Sequence, residues 1–95
     1  MGGPMDRRDR ARTLVLAALD AIERELASPR HQLRPTELGT CRETLRGYLE
    51  AIDKGALPPR KDRGEGLGRI VMDSWPFDLA LGNLVLQAER AWRNA

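Results

Sequence analysis

The chain has 95 residues, 41% hydrophobic and 32% charged, with a net charge of +2. That length fits one domain and leaves no room for a second. No run of about 18 apolar residues occurs, which excludes a membrane-spanning helix, and a single cysteine excludes an intramolecular disulfide.

Residues 1–5, ahead of Asp6-Arg7-Arg8, lack the apolar segment of a secretory signal. They are expected to be a disordered N-terminus, and the cytoplasm is the expected location. Fourteen arginines stand against two lysines. Arginine suits bidentate pairing with carboxylate or phosphate, although a GC-rich coding sequence produces the same skew. The alternation Asp6-Arg7-Arg8-Asp9-Arg10 reads as a solvated helix face.

Asp6–Ala27 is predicted as the first helix. Val15, Leu19, Ile22 and Leu26 form one apolar stripe with Ala11 and Ala18 beside it. Leu14 and Leu16 widen that stripe, so the helix is expected to touch two neighbours. Ser28-Pro29 ends it, because a residue before proline is pushed out of the helical region. Pro35 marks the next start. Leu38, Cys41, Leu45, Tyr48, Leu49 and Ile52 then share an arc of about 100°. Thr40 and Glu43 have capping-box spacing, which places the regular helix from Cys41 with Thr36–Gly39 as a looser turn. Lys54-Gly55 supplies a cation and a positive-φ residue for its end.

Residues 55–66 are expected to be a flexible internal linker, since Pro58-Pro59 favours an extended backbone and Arg60–Gly66 is polar and glycine-rich. Leu67, Ile70, Val71 and Ser74 share a face, which predicts a short helix. Trp75-Pro76 then turns the chain. The last helix is predicted over Pro76–Arg93, with Leu81, Leu84, Val85, Ala88 and Trp92 inward and Leu79 and Leu86 on the far side. The predicted fold is all-α: a single domain, 1–95, of three main helices plus one short helix.

Residues with chemical potential are few. Gly64-Glu65-Gly66-Leu67-Gly68 has the look of a phosphate cradle, but it follows no buried strand and lacks the Gly-Lys-Ser/Thr ending. It reads as a loop entering a helix, with at most a weak anion site aided by Arg69. Cys41 lies on an apolar stripe, where a thiol behaves as a small hydrophobe. His31 sits alone in a loop, far from the set of ligands or partners that zinc binding or nucleophilic catalysis needs. No enzyme, metal or cofactor is implied.

The expectation is a small non-enzymatic protein–protein interaction module, such as an adaptor, a complex subunit or an immunity- or antitoxin-like binder. Its partner would be another protein or a second copy of the chain, met through Trp75, Phe77, Leu79 and Leu86. Leu79 and Leu86 would form an apolar patch on the outer side of the last helix. Trp75 and Phe77 bracket a proline and are readable either as a core corner or as interface anchors. A nucleic-acid-associated accessory protein is the alternative, with Arg60, Lys61, Arg63 and Arg69 as phosphate contacts.

Overall fold

A computed structural model describes residues 6–63, 66–76 and 78–95. Phe77, Gly64 and Glu65 lie outside the described residues, as do residues 1–5. Among the described residues, four α-helices carry the fold: α1 Arg7–Ala27, α2 Pro35–Lys54, α3 Gly66–Ser74 and α4 Ala80–Asn94, with a 3₁₀ turn at Arg60–Asp62. No strand occurs among the described residues, so the chain is all-α. Among them, too, no helix is long and apolar enough to cross a membrane.

Helix α1 starts because Asp6, in extended backbone, accepts the Arg8 amide on Oδ1 at 2.7 Å. Its inward stripe is Ala11, Val15, Ala18 and Ile22, all fully buried. Leu19 and Leu26 pack beside that stripe, half-buried. Two alanines on the stripe let neighbouring backbones approach closely, and α1 packs against both α2 and α4. Ser28 caps the end of the helix, its amide bonding Arg24 O at 2.9 Å.

Helix α2 begins earlier than its capping-box spacing implies. Pro35 occupies the first turn, where its missing N–H loses nothing. The Thr40 hydroxyl donates back to Thr36 O at 3.0 Å instead of capping an amide. Burial of Leu38 holds this first turn onto the core. At the other end Gly55 adopts φ +66°. Its N–H bonds Ile52 O at 3.2 Å, and the Ala56 N–H bonds Ala51 O at 3.0 Å, satisfying the last carbonyls as anticipated.

Two described residues of the expected linker, 55–66, touch the rest of the fold. Leu57 packs half-buried against the core. Arg63, also half-buried, reaches back to Pro58 O with Nε at 2.9 Å.

Helix α4 starts at Ala80, not at Pro76. The Leu79 amide bonds Pro76 O at 3.1 Å, closing a tight turn that diverts the chain before helical bonding resumes. That turn lets α3 and α4 face one another. Gly82 makes the approach feasible, since a Cβ there would sit 3.1 Å from Val71 Cγ1 and 3.7 Å from Trp75 Cε3. Trp75 is therefore a core corner, buried with 5% of its surface exposed. Leu81, Val85, Ala88 and Trp92 complete the core from α4.

Candidate interaction surface

Two helix ends in the second half of the chain are finished by residues distant in sequence. Glu89, on α4, is buried with 4% exposure. Its carboxylate accepts the Leu67 amide at 3.0 Å, the Gly68 amide at 3.1 Å and the Tyr48 hydroxyl at 3.4 Å. A carboxylate on the first amides of a helix satisfies donors that have no intrahelical partner and meets the positive end of the helix dipole. Gly68 gives the carboxylate room, because a Cβ at that position would lie 3.1 Å from Glu89 Oε1, a tight contact. Burial, and then the negative charge of Glu89, raise the Tyr48 phenol above its ordinary pKa.

This corrects the reading of the glycine-rich loop. The described part of it does present an anion site at the start of α3, and the protein fills that site with its own carboxylate.

Arg63 performs the complementary task at the end of α4. Its Nη1 donates to the carbonyls of Trp92, Arg93 and Ala95 at 3.0–3.2 Å. The guanidinium also lies 5.7 Å from the Trp92 ring centroid. Tyr48 stacks on the same indole at 4.3 Å with an 11° interplanar angle. Arg63 is thus committed to the fold and does not join Arg60, Lys61 and Arg69 in an outward basic cluster.

The other reactive groups are equally occupied. Cys41 is fully buried, and burial pushes its thiol up to about 11. The His31 ring nitrogen Nδ1 lies 2.8 Å from Glu25 Oε1, while the Arg30 and His31 amides both donate to Glu25 Oε2 at 2.9 Å. Glu25 is buried, which by itself raises its pKa. The amide and imidazole donors outweigh that effect and hold the carboxyl below the usual range. Among the described residues, no cluster of His, Cys, Asp or Glu is placed to hold a metal ion.

The apolar patch expected on α4 is not a bare surface. Leu79 and Leu86 are half-buried and pack against the core. Leu86 Cδ2 points at α3, where it would lie 3.9 Å from a Cβ on Gly68. The helix that covers this side is the short α3, whose Leu67 and Val71 bury themselves against α4. Of the four residues expected to bind a partner, Trp75 is core, Leu79 and Leu86 are packed, and Phe77 lies outside the described residues.

What does face outward is a set of arginines. On α1, Arg7 and Arg10 share a face with Leu14; on α4, Gln87, Arg90, Ala91 and Asn94 share another. Together these two stripes line a groove of about 450 Å³ between the helices. Arg90 also borders a second hollow, between α3 and α4, where Arg69 and Met72 stand on the opposite wall. Met72 is 74% exposed, the most exposed large hydrophobic side chain among the described residues. No hydrogen bond or ion pair engages the side chains of Arg7, Arg10, Arg69 or Arg90 within the described chain.

Arg60 and Lys61, also exposed, sit apart on the 3₁₀ turn and line neither recess. Sequence patterning missed Arg7, Arg10, Arg90 and Met72. The signal was there in helical spacing, since about 100° per residue separates Arg7 and Arg10 from the intervening Asp9.

No protein-family model matches this chain, and no match to it was found among curated proteins.

Proposed function

We propose that this chain is a small, non-enzymatic protein–protein interaction module of the cytoplasm. It works by binding another protein or a second copy of itself. One observation carries the reading. The groups that could do chemistry are committed to the fold, whereas Arg7, Arg10, Arg69 and Arg90 and the Met72 side chain face solvent, the four arginines without ion pairs in the described chain. Polar and cationic groups around exposed apolar surface are what a recognition face requires. Cys41 supports the same reading, being shielded from the solvent through which a catalytic thiol would meet its substrate.

The nucleic-acid reading draws less support. Its cluster at 60–69 loses Arg63 to the end of α4. Both tryptophans are buried and Tyr48 is stacked inside, so no described aromatic ring is exposed for base stacking.

The test is photo-crosslinking in the expressing cell. A benzophenone amino acid replaces one exposed residue on each helix in turn: Leu16, Arg46, Met72 and Gln87. A discrete protein adduct from at least one position is the expected result. Adducts to nucleic acid alone, or to nothing at all four positions, would overturn the proposal.

A further inference from the structure

We infer that the groove between α1 and α4 is the docking site for an acidic, amphipathic segment of another protein. This rests on the interaction-module reading and adds to it the place and the chemistry of the partner.

The groove is lined by cations around an apolar strip. Its rim carries Arg7, Arg10 and Arg90, while Leu14 and Ala91 supply an apolar floor. Among the described residues, no carboxylate lines it. Asp6, next to Arg7, is turned onto the Arg8 amide as the cap of α1, and Glu89, next to Arg90, onto the Leu67 and Gly68 amides. Asp9 lies about 100° around the helix from Arg10.

Several arginines on the α1–α2 side are paired with carboxylates. Arg12 meets Asp53 at 2.8 Å, Arg24 meets Asp20 at 3.0 Å, and Arg42 and Arg46 share Glu23 and Glu43. The groove instead gathers three arginines that have no ion pair within the described chain. Three guanidiniums around one recess repel each other, and a complementary anion relieves the repulsion.

The floor selects the class of anion. Nucleic acid needs cations along a track and rings on which bases stack, and no aromatic side chain lines this groove among the described residues. A short helix or turn bearing Asp or Glu, with an apolar side chain on the same face, satisfies both features at once. Its carboxylates take Arg7, Arg10 and Arg90 in bidentate contacts while its apolar side chain covers Leu14 and Ala91. A second copy of this chain suits the groove less well, because the chain is itself net positive.

Fluorescence anisotropy on the full chain tests the inference with four labelled probes. They are a 16-residue peptide with a leucine stripe flanked by glutamates, its scrambled isomer, the same peptide with lysine for glutamate, and an oligo-dT of equal length. Binding is measured for wild type, for Arg7→Glu/Arg90→Glu, and for Arg30→Glu/Arg34→Glu, which changes net charge equally at exposed positions outside the groove. Circular dichroism confirms that each variant folds.

The glutamate peptide should bind wild type and lose about tenfold or more on Arg7→Glu/Arg90→Glu. It should lose less than about threefold on the control. The lysine peptide should bind Arg7→Glu/Arg90→Glu better than it binds wild type, which a merely damaged groove cannot produce. Equal loss in both variants, equal binding of the scrambled isomer, tighter binding of oligo-dT, or no binding of the glutamate peptide would each overturn the inference. Should the cell crosslinks arise from Leu16 or Arg46 alone, the groove is wrong while the interaction module stands. Should no position give a protein adduct, the module reading itself fails.

Discussion

The two halves of this small bundle close their helices in opposite ways. In the first half the ends are finished locally: Asp6 caps α1 two residues away, Pro35 opens α2, and Gly55 closes it. In the second half the ends are borrowed. Glu89 reaches α3 from 21 and 22 residues away, and Arg63 reaches the end of α4 from 29 to 32 residues away. The surfaces differ to match. The α1–α2 side is laced with exposed ion pairs, while the side bounded by α4 leaves Arg7, Arg10, Arg69 and Arg90 unengaged within the described chain. A locally capped helix is stable in its own right to the extent its sequence allows. A helix capped by tertiary contacts exists only while the partner element is in place.

The strongest way to break this contrast is Glu89→Ala. It leaves the buried Leu67 amide and the part-buried Gly68 amide and Tyr48 hydroxyl without their acceptor, and about 2–4 kcal/mol of unfolding free energy should be lost. Urea denaturation measures it; a loss below about 1 kcal/mol would mean that α3 does not depend on the distant cap. Arg63→Ala should cost less, about 1–2 kcal/mol, because the carbonyls it leaves are partly reachable by water. The same titration reads it, and a neutral result would remove Arg63 as the terminus of α4.

These two residues also mark where sequence reading stopped. The stripe of α1, its end at Ser28, the positive-φ Gly55 and the short α3 were all legible, because each follows from spacing or from one residue's backbone preference. The start of α2 was legible in Pro35 but blurred by the Thr40/Glu43 spacing, and the late start of α4 was not legible. Each turns on how a proline turn fits the core, through Leu38 in one case and Trp75 in the other. The outward-facing groove was hidden for another reason, since it needs α1 and α4 to lie side by side. Glu89 left a trace: with Val85 and Trp92 it shares the inward face of α4, so a charge stands where the periodicity asks for an apolar residue. Glu25 leaves the same trace on α1, three residues past Ile22.

Glu25 sharpens the contrast from the first half, where it clamps the loop after its own helix. Substitution to Gln should cost about 1 kcal/mol, since one acceptor oxygen survives. Its pH dependence is more telling. The folded carboxyl titrates below its unfolded value of about 4.3. Its contribution is therefore complete above that value and is lost as pH falls through the folded pKa. Thermal melts from pH 6 down to 3 should show a decline in wild type that is shallower in Glu25→Gln. Parallel curves would remove Glu25 as a source of acid sensitivity.

The smallest effect belongs to the ion-paired surface. Arg12 and Asp53 meet at 2.8 Å but are each about half-exposed, at 49% and 48%. Replacing either with Ala should change stability by no more than about 0.5 kcal/mol, and added salt should erase the difference. A double-mutant cycle exceeding about 1 kcal/mol would show that the first half, too, leans on its charges.

The cap on α3 has a further consequence, in the order in which the molecule comes apart. Nine residues are too few to hold a helix in water unaided. When α3 lifts, water can take up its freed amides and solvate Glu89 in the same event, so no buried charge is stranded. The amides of residues 67–75 should therefore exchange with deuterium as one group, ahead of those at the centres of α1 and α4. On that view the short helix behaves as a latch across α4, and its opening uncovers Leu86 without unmaking the rest of the fold.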